Sequence, residues 1–204
     1  MRTYSKNENL IQERRDQIEK SARLVFLKKG YNSTSMRELS EACGLTPGAL
    51  YRYIGSKSDI LHLICMKGVR DSSNLRTFTE QLGTVSTREL LLKVIRSYFD
   101  GCDEYRERNI FFNREIQNMS SEDRQILLNS QVLILEVFEE ILVYGQNNGE
   151  FHVESPFFLA HTILMLGHDW GQRHWLLSKH YTLEQYTELS IKFVLYFLGL
   201  NTVS

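Results

Sequence analysis

The stretch GLTPGALYRYIGSK, residues 44–57, decides how the first third of this 204-residue chain is read. Gly44 suits the left-handed position that closes a preceding helix. Thr46 can cap a new helix that begins at Pro47, where a missing N–H costs no intrahelical bond. Leu50 and Ile54 face inward from it, Gly55 stops it, and Ser56 caps the next. A helix from Pro47 to about Ile54 is too short to bury much core, so its purpose must lie on its other face.

Working outward, Ile11, Ile18, Ala22, Val25 and Phe26 recur at helical spacing, which predicts an amphipathic helix over about 8–29, ended by Gly30. Asn32, Ser33 and Thr34 offer N-cap oxygens for a second helix of about two turns carrying Met36, Leu39 and Cys43. After Ser56, the apolar stripe Ile60, Leu61, Ile64 and Val69 continues toward Leu75. Two short helices joined by a tight glycine turn and braced by longer ones have the layout of a helix-turn-helix. On that reading the helix from Pro47 lies in a major groove. Gly48 and Ala49 lack bulk, so its N-terminus can approach a duplex and aim unpaired N–H groups at phosphate. Tyr51, Tyr53 and Lys57 then bracket the groove as phosphate donors. The charge balance agrees in sign: residues 1–60 hold 11 Lys/Arg against 7 Asp/Glu, and the remainder holds 13 against 18.

GYNSTSMRELSEACGLTPGALYRYIGSKSDIL, residues 30–61, resembles the DNA-binding motif of the TetR/AcrR family of bacterial one-component transcriptional regulators. The resemblance rests on the aromatic after the glycine, the Thr-Ser start, the small residues around Gly44, the Leu-Tyr-x-Tyr run and the Ser-Lys pair. It implies an all-α homodimer with an N-terminal three-helix DNA-binding domain and a C-terminal domain that dimerises and binds a small effector. Carried over by position, Thr34 and Ser35 are phosphate contacts, and Arg37 reaches base edges. Thr46, Gly48, Tyr51, Tyr53 and Lys57 position the DNA backbone. Pro47, Gly48 and Ala49 carry no long polar side chain, which leaves Arg37 and Arg52 for direct readout and shape for the rest. The expected organisation is a helix-turn-helix domain over 1–56, a connecting helix over 57–75 and a dimerisation and effector domain over 76–204.

The remainder reads as long helices: Thr84 to about Glu107 with Leu90, Leu91, Val94, Ile95, Tyr98, Phe99 and Cys102 inward, a short aromatic one from Asn109 to Met119, and one from Ser120 to about Gln146. The last two are expected from Ser155-Pro156 to about His180 and from Leu183 to Leu198. Between chains they would form a four-helix seam from Phe157, Phe158, Ile163, Leu164, Leu183, Ile191, Val194, Leu195 and Leu198, unless these belong to the core of one chain. A dimer of this kind reads a two-fold double-stranded operator, with recognition helices about 34–36 Å apart or a multiple of it.

HTILMLGHDWGQRHW, residues 161–175, gathers His161, His168, Asp169, Trp170, Arg173, His174 and Trp175 on one helix. No His there has a His or Cys partner four residues away, so a pocket or interface element is expected rather than a metal site. With the LLSKHYTLEQY run that follows, it is similar to the C-terminal part of TetR-type regulators of fatty-acid or sterol catabolism, several of which respond to acyl-CoA thioesters. That similarity implies an apolar tunnel of Tyr98, Phe99, Cys102, Phe111, Phe112 and Met165, with His168 and Trp170 beside it and Arg114 or Arg173 for phosphates.

The three cysteines form no CxxC and no zinc spacing, and read as reduced, mostly buried thiols. No apolar run is long enough for a membrane span, and the N-terminus lacks a signal-peptide core, so a cytoplasmic protein is expected. GxSxG, P-loop, GxGxxG and HExxH motifs are absent, which argues against an enzyme and leaves no cofactor to expect. The rival reading is a helical interaction or ligand-binding protein without specific DNA contact, which explains the long helices but not the glycine-punctuated unit at 44–57.

Overall fold

A computed structural model describes the backbone of residues 2–200 and the side chains of 10–67 and 74–200. It is 78% helical, with no strand among the described residues. The chain divides into two compact units, one of residues 1–69 with 111–127 and one of 70–110 with 128–204. The segment 111–127, expected in the C-terminal domain, thus packs in the first unit.

In the first unit, α1 (Arg2–Lys29) starts earlier than the expected residue 8, and its buried stripe is Ile18, Ala22 and Phe26. Ile11 stands outside that stripe, 38% exposed. Val69 lies outside the described side chains. The helix α2 (Met36–Ala42) is capped by Ser35, not by the oxygens of 32–34. Only Ser35 has a glutamate three residues on to close a capping box: its hydroxyl accepts from the Glu38 N–H while Glu38 accepts the Ser35 N–H. Gly44, at φ 64°, supplies the turn to α3 (Pro47–Leu50), which Thr46 caps by accepting the Ala49 N–H. The α-helix is one turn long rather than continuing to Ile54. Beyond Leu50 the pattern tightens, with Tyr53 N–H donating to Leu50 at 2.9 Å, and the chain turns through Gly55 into α4 (Lys57–Ser73). Leu50 and Ile54 are buried as expected, with Leu39, Ile60, Leu61 and Ile64. Phe111, Phe112, Met119 and Leu127 complete this core, and the Phe26 and Phe111 rings stack at 5.9 Å.

In the second unit a 3-10 segment (Asn74–Gln81) precedes α5 (Thr87–Glu104). The seven residues expected on the inner face of α5 are all buried. Further on, α6 (Arg106–Glu115) and α7 (Ser121–Asn147) divide their residues between the units. The helix α8 (Pro156–Gln172), capped by Ser155, ends earlier than expected: Arg173 leaves helical geometry at φ −108° and ψ 22°. A single turn, α9 (His174–Leu177), then leads to α10 (Leu183–Phe197), opened by a Thr182–Gln185 capping box. α5 packs against α8 and α10. The Tyr98 hydroxyl donates to the Leu164 carbonyl at 3.0 Å, and Gly167 makes room for the ring, since a Cβ there would lie 2.5 Å from Tyr98 Cε1. No helix among the described residues is long and apolar enough to cross a membrane.

Candidate nucleic-acid interface and ligand cavity

One face of the α2–α3 pair is built from residues that the fold does not consume. Ser35, Arg37, Thr46, Pro47, Gly48, Tyr51 and Arg52 are exposed, while Leu39, Leu50 and Ile54 hold the opposite side in the core. Tyr51 projects most plainly, a large aromatic left 52% exposed. At Gly48 a Cβ would meet nothing within 4 Å, and its φ is not positive, so neither packing nor backbone strain demands glycine there. That leaves the helix end open to close approach from outside. Ala49 is half-buried and hands its N–H to the Thr46 cap. Arg37 leans on Glu41 at 3.1 Å, but the two side chains are 83% and 64% exposed, an arrangement that yields readily to a stronger anion.

Three residues expected to touch phosphate also make contacts within the chain. Lys57 Nζ donates to the carbonyls of Tyr31 at 2.7 Å, Thr34 at 2.9 Å and Asn32 at 3.4 Å, and sits 4.4 Å from the centre of the Tyr31 ring. An ammonium has three donors, and all three are spent on the α1–α2 connection. Thr34 is buried, its hydroxyl donating to the Gly30 carbonyl at 2.8 Å. Tyr53 is half-buried against the first unit's core. The Lys57 partners lie 23 to 26 residues away, where local patterning does not reach, whereas the Thr34 bond closes within four residues of the chain.

The second unit holds a cavity of about 480 Å³, walled by the 3-10 segment, α5, the start of α6, α7 and α8. It brings together Tyr98, Cys102 and His168 from the expected ligand set. The other members lie elsewhere. Phe99 is sealed in the core, Met165 is 45% exposed, and Trp170 is buried with its N–H on Asp103 at 2.9 Å. Arg173 pairs with Asp169 on the surface, and Phe111, Phe112 and Arg114 belong to the first unit. The misplacement follows from counting every aromatic of the middle helices into one core when the chain builds two.

The cavity also recruits Phe78, Asp100, Glu104, Tyr105, Arg108 and Gln131, none of which stood out in the sequence. Arg108 is 5% exposed, its guanidinium 4.1 Å from the Tyr105 ring centre. The three-residue spacing from Tyr105 was the available signal, but it does not distinguish this arginine from a surface one. Burial, then the proximity of His161, lowers the His168 pKa, which keeps its ring neutral at physiological pH. Burial also pushes the Cys102 thiol up to about 12, so it stays protonated. No group of three or more His, Cys, Asp or Glu residues that could hold a metal occurs among the described residues.

The seam residues expected between chains also separate. Ile163, Leu164, Ile191, Val194, Leu195 and Leu198 are buried within the chain. Phe157 and Phe158 are exposed, and with Met165 on α8 and Leu189, Phe193, Tyr196 and Phe197 on α10 they leave apolar stripes uncovered.

A family model described as bacterial regulatory proteins of the tetR family matches residues 18–64, and one described as a tetracyclin repressor-like C-terminal domain matches 84–172. The HTH-type transcriptional regulator HbdR of Aromatoleum sp. (strain CIB) is 24% identical over 179 residues, 88% of this chain and 78% of that protein. A bacterial regulatory protein in the tetR family from Rhodococcus RHA1 superposes with a TM-score of 0.77 at 23% identity, covering 91% of this chain and 96% of its own. AibR in complex with isovaleryl coenzyme A and operator DNA superposes at 0.73 with 20% identity, covering 88% and 97%.

Proposed function

Because the chain belongs to the TetR family of bacterial regulatory proteins and carries its helix-turn-helix DNA-binding domain, we propose that it is a repressor that binds a two-fold operator as a homodimer until a small effector releases it. The observation that carries the DNA half is the exposed face of Ser35, Arg37, Thr46, Pro47, Gly48, Tyr51 and Arg52 opposite a fully buried anchor. Thr46 and Tyr51 donate hydroxyl hydrogens to phosphate, the bare α3 N-terminus approaches the backbone, and Arg37 and Arg52 read base edges. Dimerisation is supported by the uncovered stripes of α8 and α10, which in a two-fold pair cover each other as a four-helix bundle.

The cavity is the effector site in this reading, and an acyl-CoA thioester is the effector class. A relative in fold binds isovaleryl coenzyme A alongside its operator. The cavity restricts which part of such a molecule enters. Phe78, Tyr98, Ile134 and Leu75 suit an acyl chain, and Gln131, Asn109 and Ser97 suit amide groups, whereas the carboxylates of Asp100 and Glu104 outweigh the Arg108 guanidinium in that lining and repel phosphates. The acyl end and pantetheine arm therefore go in and the nucleotide stays out. Binding of the purified protein to DNA flanking its own gene, at stated salt and with isovaleryl-CoA or a long-chain acyl-CoA added, tests both halves. Release by either thioester supports the whole reading, and binding indifferent to both discards the ligand class. Absence of specific binding to any genomic fragment favours the helical ligand-binding alternative.

A further inference from the structure

The α1–α2 connection, which delivers Ser35 and Arg37 to the exposed face, is held from the middle of the chain. Arg114 Nη1 donates to the Leu27 carbonyl at 2.6 Å. Glu115 accepts the Tyr31 N–H at 3.4 Å, and Asn32 donates its side-chain N–H to Asn118 Oδ1 at 3.0 Å. Asn118 in turn donates to Glu115 at 2.7 Å. These partners are 84 to 87 residues apart in sequence.

Each contact does something the connection cannot do for itself. Leu27 is in the last turn of α1, where carbonyls lack intrahelical partners and the helix end is negative, so a guanidinium there is both a donor and a matched charge. Glu115 is 3% exposed, and a carboxylate buried to that degree costs stability unless several donors meet it. The Tyr31 N–H, Asn118 and Arg114, all members of this clamp, meet it there. The apolar packing of this segment is done by Phe111 and Phe112, so the core does not require an acid at 115.

We propose that Arg114, Glu115 and Asn118 are positioning residues for operator recognition, fixing the direction in which the α1–α2 connection presents Ser35 and Arg37. The proposal rests on the DNA-binding reading above. Without the clamp, phosphate contacts still form on any duplex, but the base-reading arginine loses its register, so discrimination falls and general affinity does not.

The test compares wild type, Glu115→Ala, Glu115→Gln and Asn118→Ala by fluorescence anisotropy, on the operator and on scrambled duplex of equal length, at one salt concentration. Glu115→Ala is expected to lose about tenfold in operator affinity with scrambled binding unchanged, and hydrogen exchange at the Tyr31 amide should accelerate. Glu115→Gln keeps an oxygen to accept that N–H and should restore most of the discrimination. A Glu115→Ala protein that keeps the wild-type ratio, or loses both affinities equally, overturns the proposal. Should that variant fail to fold, Asn118→Ala on the exposed side carries the same comparison, with retention of the ratio again the overturning result. A wild type that prefers no genomic fragment overturns the regulator reading and this proposal together, whereas discrimination by wild type and alanine variants alike overturns this one alone.

Discussion

Replacing Lys57 by methionine separates a phosphate contact from a structural pin. The side chain is nearly isosteric, so the substitution removes the charge and its three donors while keeping the stem. Two of its bonds, to Tyr31 and Thr34, are short at 2.7 and 2.9 Å, and the Tyr31 ring lies 4.4 Å away. A net 1.5–3 kcal/mol is typical of a hydrogen bond to a charged group, and an exposed cation–π contact adds about 0.5–1 kcal/mol. Lys57 is only partly buried and water can replace some of this, which puts the loss at about 2–4 kcal/mol. Urea unfolding followed by circular dichroism reads that loss as a shift in midpoint at constant slope. Operator affinity should fall as well, because the loop leading to Ser35 loses its anchor. The dependence of log affinity on log salt should keep its wild-type slope. A lysine on phosphate would contribute about 0.9 to that slope in each protomer, so its loss is measurable. A Lys57→Met protein as stable as wild type but with a shallower salt slope would refute the reasoning and return Lys57 to the DNA.

Three further outcomes are expected. Gly48→Leu should fold with wild-type or slightly higher stability, since the position is open and helical, yet lose operator binding by at least about tenfold; retained binding in an anisotropy assay would remove α3 from the interface. Gly167→Ala should destabilise by about 1–3 kcal/mol, because the new methyl would lie 2.5 Å from Tyr98 Cε1, and thermal unfolding measures it. Glu38 is held at a pKa of about 2, first by the Lys29 ammonium and then by the N–H and hydroxyl of Ser35. Its folded pKa is below the unfolded value of 4.5, so its stabilisation is full above pH 4.5 and is lost as pH falls toward 2. Glu38→Gln, which can still close the capping box, should flatten that part of the urea midpoint's pH profile, and an unchanged profile would contradict the pairing.

The sequence by itself determined the helix-turn-helix, because its signals are local. A glycine at positive φ, a Thr-Pro start and apolar residues at spacings of 3 and 4 act within a turn of where they stand, and Gly44, Thr46, Leu50 and Ile54 all behave as read. The inner face of α5 was legible for the same reason. Tertiary structure alone decided the rest. It sent Phe111, Phe112 and Arg114 to the first unit and set the Lys57 ammonium on the carbonyls of Tyr31, Asn32 and Thr34. It also chose which faces of α8 and α10 are core and which are uncovered. Periodicity shows that a residue faces an apolar neighbour but not which element supplies that neighbour, and a lysine's reach spans several candidate partners. Those choices are settled only when distant segments pack and their carbonyls compete for the same donors.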